Sequence, residues 1–193
     1  MSVLVARCGP VPMAPVDVCA LARQVVADLA PRALARQQQL ELDAPDTCSV
    51  TGDATLLSIL LRNLVDNALR YSPPGACIAV TVSADGSVPQ LSVEDSGPGM
   101  DDAARQRLGQ RFQRGLGHDA SGSGLGWSIV RRIAEVHGLQ VHAERSARLG
   151  GLAVRVARPT KLFVPATSLG GVESLIEHRH TAEGPGSLAP VDL

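Results

Sequence analysis

The chain is nearly without lysine: of its 18 basic residues seventeen are arginine and one is Lys161. That scarcity excludes a Walker-type phosphate loop, which needs a Gly-Lys-Ser/Thr step, because Lys161 stands between Thr160 and Leu162. It also leaves Lys161 as the sole candidate for Schiff-base chemistry. Nucleotide bias in the source genome is enough to explain the arginine skew. Cysteine patterning is absent too. Cys8, Cys19, Cys48 and Cys77 form no Cys-x-x-Cys pair and no Cys/His ligand spacing, so we expect reduced thiols in a cytoplasmic protein. No apolar run approaches the roughly 20 residues that cross a bilayer. Met1 to Pro15 carries only Arg7 as a charge and has no long apolar stretch, which makes a poor signal peptide. A net charge of −1 gives no overall attraction toward nucleic acid or an anionic membrane surface.

What is present is one ordinary domain with a small appendage. The 193 residues are 45% hydrophobic and 19% charged, enough for a packed core. Pro10, Pro12 and Pro15 punctuate an extended lead-in. Asp17 can cap a helix to Leu29 with an apolar stripe that includes Leu21, Val25 and Leu29. A short strand is expected at Gln39 to Leu42, then a turn from Ala44 to Gly52. Asp53 caps the clearest helix, with Leu56, Leu57, Leu60, Leu61, Leu64, Val65, Ala68 and Leu69 on one face. Ser72-Pro-Pro-Gly75 stops it. Strands at Cys77 to Ser83 and Leu91 to Glu94 follow, then a short helix from Asp101 and a polar Gly-rich loop from Gly109 to Gly124. A second strong helix runs from Leu125 to His137 and ends at Gly138, before a hairpin of Leu139 to Glu144 with Leu152 to Val156. The expected fold is an α/β sandwich with a mixed sheet. After Pro159 the chain turns to Gly, Pro, Ser and His without strong periodicity, and we place a boundary there.

Four features can carry chemistry, and each has a plainer alternative. Asn63 and Asn67 are one helical turn apart, with Arg70 and Tyr71 continuing that face. They are either solvated asparagines or amide oxygens able to ligate Mg²⁺ beside nucleotide phosphates. Asp95 ends a strand before Gly97 and Gly99, a good turn but also an acceptor-only carboxylate that can read an exocyclic amine. Gly122-Ser123-Gly124-Leu125-Gly126 opens a helix, either as a linker or as an anion cradle. Arg111, Phe112 and Arg114 precede it in the polar loop, where guanidinium groups can clamp phosphate.

Together these features resemble a known family. Residues 61 to 72, Leu-Arg-Asn-Leu-Val-Asp-Asn-Ala-Leu-Arg-Tyr-Ser, resemble the N box of sensor histidine kinases. Asp95-Ser-Gly-Pro-Gly99 resembles their G1 box, Arg111-Phe-Gln-Arg114 their F box, and Gly122 to Gly126 their G2 box. The order is the family's, and the likeness covers residues 15 to 158. It implies the Bergerat fold, a two-layer sandwich with helices on one face of a mixed sheet and a lid over ATP. On that resemblance Asn63 and Asn67 serve Mg²⁺ and phosphates, Tyr71 lies by the adenine and Arg70 faces phosphate. Asp95 reads the adenine amine, Gly97 and Gly99 shape its pocket, and Arg111, Phe112 and Arg114 belong to the lid. Gly122, Ser123, Gly124, Leu125 and Gly126 form the phosphate cradle, and Trp127 packs as a core residue under the lid.

The related gyrase-type and heat-shock-type ATPases carry a Glu as general base one turn before the metal-binding Asn. Here that position is Asn63, which is no base at neutral pH, and Asp66 lies about 100° from Asn67 around the helix. Phosphoryl transfer to a protein therefore fits better than hydrolysis. None of His118, His137, His142, His178 and His180 has the context of a phospho-acceptor, and we expect exposed structural roles for His137 and His142. The acceptor would come in trans, on a His-containing dimerisation domain, with a response regulator downstream. Full-length relatives are usually anchored in the inner membrane. A non-catalytic nucleotide-binding or interaction module is the alternative, and an anti-sigma-type Ser kinase is disfavoured by the lid sequence. Residues 1 to 14 read as a lead-in remnant. Residues 159 to 193 read as an unrelated, loosely ordered tail in which Ser168 to His178 resembles the C-terminal region of pyridoxal-phosphate enzymes of cysteine and methionine metabolism. Lys161 does not match their Schiff-base motif, so a fusion, frameshift or fragment is expected rather than a pyridoxal enzyme.

Overall fold

The computed structural model describes residues 11–85, 88–101 and 125–159. All of them lie in the first of two compact units, Met1–Pro159. A five-stranded mixed sheet organises this unit. Its strands are β2 (Gln39–Asp43), β4 (Cys77–Asp85), β5 (Val88–Asp95), β6 (Gln140–Arg145) and β7 (Leu152–Ala157), in the order β2-β4-β5-β7-β6. Only β2 and β4 run parallel. Strand alternation divides the faces. Leu40, Leu42, Ile78, Val80, Val82, Val93, Val154 and Val156 join the core, while their neighbours Glu41, Thr81, Glu94 and Arg155 take the other face.

Three helices cover the apolar face: α1 (Val18–Ala35), α2 (Ala54–Tyr71) and α3 (Leu125–Val136). In α2 the leucine stripe is buried as its spacing requires, and the Asp53 carboxylate accepts from the Leu56 amide at 2.9 Å. Its far end is capped from outside the helix. Buried Gln38 donates to the carbonyls of Leu69 (3.0 Å) and Ser72 (2.8 Å), groups that a helix end leaves unpaired. Gly138, at φ +63, ends α3, where the Leu139 amide donates to Ala134 and the Gly138 amide to Glu135.

Two expectations are corrected by backbone pairing. The end of the extended lead-in, around Pro15, belongs to strand β1 (Ala14–Asp17), whose last residue Asp17 caps α1 as expected, and Ser49–Gly52, read as turn, is strand β3. The two pair antiparallel as a separate ribbon, with Ala14 opposite Gly52 and Asp17 opposite Ser49. Pairing with each other supplies partners for backbone groups that neither segment's side-chain pattern advertises. α1 also runs six residues beyond Leu29. Pro31 lies within it and has no amide to donate to the carbonyl of Ala27 one turn earlier.

His137 is half-buried rather than exposed. Its Nδ1 donates to the Ile133 carbonyl (2.8 Å) and its Nε2 accepts from the Asp53 amide (3.0 Å), which ties the end of α3 to the start of α2. His142 is exposed, as expected. Among the described residues no helix is long and apolar enough to cross a membrane.

Candidate functional site

Asp95 is the last residue of β5 and shares the side of that strand that carries Leu91 and Val93. The same alternation that buries Val93 therefore carries a carboxylate beneath the helices, where Asp95 is 7% exposed. Its Oδ1 accepts from the Gly97 amide at 2.9 Å and from the Leu152 amide at 3.2 Å. Both bonds fall on one oxygen, which leaves Oδ2 to accept from a ligand. Burial pushes the Asp95 pKa above its ordinary value, against the opposing pull of the Leu152 and Gly97 amides.

A cavity opens beside this carboxylate. Leu64, Ala68, Val93, Leu152 and Val154 give it apolar walls, while Asn67, Tyr71 and Asp95 supply polar groups. Pro98, Gly99, Met100 and Trp127 complete the lining. Gly99 has φ +73, a conformation that glycine adopts without strain. Tyr71 is 51% exposed, so its ring is a lip of the cavity rather than a core side chain. A largely apolar cavity with a buried carboxylate in its wall suits a heterocycle bearing an amine.

The two asparagines of α2 differ in role. The Asn63 Nδ2 donates to the Ile59 carbonyl at 2.7 Å, which fixes the amide so that its oxygen is turned away from that bond. The Asn67 Nδ2 is buried and has no partner among the described residues. Burying a donor without an acceptor costs roughly 1–3 kcal/mol, and a ligand oxygen would remove that cost. Gly126, in the first turn of α3, lies against both. A Cβ there would stand 3.3 Å from Asn63 Oδ1 and 3.5 Å from Asn67 Nδ2 and Oδ1. The missing side chain lets the helix start approach the amides directly.

Asn67, Tyr71, Asp95 and Gly99 thus line one cavity, and Asn63, Gly97 and Gly126 border those residues. Arg70 is exposed on the last turn of α2 and is not among the lining residues. Leu125 begins α3. Arg111, Phe112, Arg114, Gly122, Ser123 and Gly124 lie outside the described residues. Trp127, read as a core residue under the lid, is partly buried against the core and also walls the cavity. Asp66 is held by Arg32 of α1 at 2.6 Å, is about 100° from Asn67 around α2, and is not among the residues that line the cavity.

Sequence reasoning passed over Gly151. Its amide donates to the Asp95 carbonyl at 3.1 Å, and a Cβ there would collide with the Asp95 carboxylate and stand 2.7 Å from the Gly97 nitrogen. Ser72 ends the N-box stretch and stops α2. It is 2% exposed, and its hydroxyl lies 3.1 Å from where a Gly97 Cβ would be. The Gly150-Gly151 pair was a legible turn signal, but nothing local to it points to Asp95.

Comparison with known proteins agrees with this fold. The family described as histidine kinase-, DNA gyrase B- and HSP90-like ATPases matches residues 52–162, more than half of the chain. The sensor protein QseC of Escherichia coli O157:H7 is 46% identical over 125 residues, 62% of this chain and 27% of QseC. The chain therefore spans about a quarter of the length of that curated relative. Among solved structures, the mycobacterial sensor histidine kinase MprB superposes with a TM-score of 0.66 at 27% identity, covering 77% of this chain and all of the MprB chain. Full-length ShkA in complex with AMPPNP gives a TM-score of 0.67 at 29% identity, covering 80% of this chain and 32% of that one. With its mixed sheet, one-sided helical layer and Asp95 cavity, this chain belongs to the histidine kinase-, DNA gyrase B- and HSP90-like ATPase family.

Proposed function

We propose that this domain binds Mg²⁺-ATP and passes its terminal phosphoryl group to a histidine supplied by a separate dimerisation element, as the catalytic part of a two-component sensor kinase. The observation that carries the reading is a buried carboxylate whose bonds from described residues fall on one oxygen, set in the same largely apolar cavity as an Asn67 amide nitrogen that has no partner among the described residues. Asp95 Oδ2 would accept from the adenine amine, with Tyr71 and Trp127 against the ring. The Asn67 Nδ2 would donate to a phosphate oxygen. ShkA, which shares the fold, is solved with AMPPNP.

The donor set suits Mg²⁺ only as a partner of phosphate. Asn63 and Asn67 offer neutral amide oxygens, and no group of three His, Cys, Asp or Glu that could hold a metal occurs among the described residues. The ion would take its other oxygens from phosphates and water, and would supply charge neutralisation of the transferring group. Asn63 stands where a hydrolytic base would have to be and has no proton affinity to offer. Asp66 is engaged by Arg32, so the described residues around the amides favour transfer over hydrolysis. Arg111, Phe112 and Arg114 would close over the nucleotide, Gly122 to Gly126 would cradle phosphate, and Arg70 would face it. The response regulator would be the second acceptor.

Titration with AMPPNP, with and without Mg²⁺, tests the site. Wild type should bind, Asp95→Asn should lose most affinity, and Asn67→Ala should lose the gain given by Mg²⁺. Equal binding by wild type and Asp95→Asn overturns the adenine assignment. Labelled ATP mixed with this chain, a separate dimerisation domain and a response regulator tests transfer. No label on either partner leaves a non-catalytic nucleotide-binding module.

A further inference from the structure

We propose that the turn between β6 and β7 is a clip that sets the Asp95 carboxylate, with Ser146, Glu94 and Gly151 as positioning residues for base selection. The inference rests on the proposed nucleotide reading of the cavity and extends it to residues that do not touch the ligand.

Ser146 is the first residue of the turn and is 3% exposed. Its hydroxyl donates to Glu94 Oε2 at 2.6 Å and accepts from the Leu149 amide at 2.8 Å. Its amide donates to the Gly151 carbonyl (2.8 Å), and its carbonyl accepts from Gly150 (3.0 Å). Gly150 has φ +82, which closes the turn without strain only because it lacks a side chain. So braced, the turn presents two amides to the end of β5. Gly151 donates to the Asp95 carbonyl at 3.1 Å and Leu152 to Asp95 Oδ1 at 3.2 Å.

Alternation along β5 makes this grip two-sided. Glu94 points to the open face of the sheet and Asp95 to the helix-covered face. The turn holds the first by a hydroxyl and the second by amides. Gly151 must lack a side chain, because a Cβ would occupy the space of the Asp95 carboxylate. The consequence is a carboxylate with a fixed Oδ1 and an Oδ2 that presents only acceptor character to the cavity. Such a group favours a base carrying an exocyclic amine and disfavours one carrying a carbonyl at that position, and it discriminates only while it cannot rotate away.

The test is calorimetric titration of the full chain with AMPPNP and GMPPNP, alongside thermal melts. Wild type should favour AMPPNP. Glu94→Ala and Ser146→Ala should each lower AMPPNP affinity by roughly 2- to 10-fold, the worth of one hydrogen bond, with GMPPNP little changed. Glu94→Gln keeps an acceptor for Ser146 and should retain wild-type selectivity. Gly151→Ala should abolish the preference. A merely structural role would lower the melting temperature and leave the AMPPNP-to-GMPPNP ratio intact. An unchanged ratio in both Glu94→Ala and Ser146→Ala, with Asp95→Asn still losing AMPPNP, overturns the clip and leaves the nucleotide site standing. No preference in wild type overturns both.

Discussion

Asp17 and Asp95 accept backbone hydrogen bonds in the same manner and use them to opposite ends. At the start of α1, Asp17 Oδ1 takes the amides of Cys19 (2.9 Å), Ala20 (3.2 Å) and Cys48 (3.3 Å). With solvent at hand, the bonds from Ala20 and then Cys48 dominate and hold its pKa below the ordinary value. Asp95 Oδ1 takes two amides, but burial outweighs them and its pKa rises. The first carboxylate is stabilised by what it already touches and serves the fold, capping α1 and tying to it Cys48, the residue before β3. The second is desolvated inside an apolar cavity, and a ligand amine would offset the cost of its charge. Perturbation by burial, joined to an uncommitted oxygen, distinguishes a site from a cap.

The sharpest way to break this comparison is to neutralise each carboxylate. Asp95→Asn retains an acceptor for Gly97 and Leu152 and turns the ligand-facing atom into a donor. We expect AMPPNP affinity to fall by at least about 10-fold, with the melting temperature held or raised, since a desolvated charge is removed. Loss of stability equal to the loss of binding would make Asp95 structural. Asp17→Ala should do the reverse, lowering the melting temperature by a few degrees and leaving AMPPNP affinity within about 2-fold.

Acid titration of stability should separate the two by sign. Asp17, with a lowered folded pKa, contributes stability present above its ordinary pKa and lost as pH falls through the folded value. Asp95, with a raised folded pKa, opposes folding while ionised, and that opposition is relieved as pH falls through its higher folded value. The stability gap between wild type and Asp17→Asn should therefore close in strong acid. The gap between wild type and Asp95→Asn should close at a less acidic pH. Parallel curves for both pairs would contradict the assignment. The smallest effect belongs to Asp66. Its pair with Arg32 is about 40% exposed on each side, so Asp66→Asn should cost no more than about 1 kcal/mol in denaturant unfolding and leave nucleotide affinity unchanged.

Legibility in the sequence followed the range of the interaction. α2 could be read from its Asp53 cap, its leucine period and its Ser72-Pro-Pro stop, all local signals. The ribbon of β1 and β3 could not, because each segment is a strand only by virtue of the other, more than thirty residues away. Gln38 shows the same limit: its three helix-end carbonyl partners come from the far side of a turn in space, not from α1. His137 looked like an exposed helix terminus until α2 was placed against it.

The site divides along the same line. Residue order, through the family resemblance, singled out Asn63, Asn67, Asp95 and the glycine boxes as candidates, since motif spacing on one helix and one strand end is a local property. It also excluded a lysine-dependent phosphate loop. Tertiary structure decided which of these residues share a cavity, that Arg70 stands outside its lining, and that Asp66 is spent on Arg32. It alone brought Gly151 and Ser146 to Asp95 and Glu94, because β5 and β7 lie 57 residues apart in sequence at the Asp95–Leu152 contact and meet only through sheet pairing. A carboxylate's identity is written in the chain. Its burial, its committed oxygen and its free one are set by neighbours that only folding supplies.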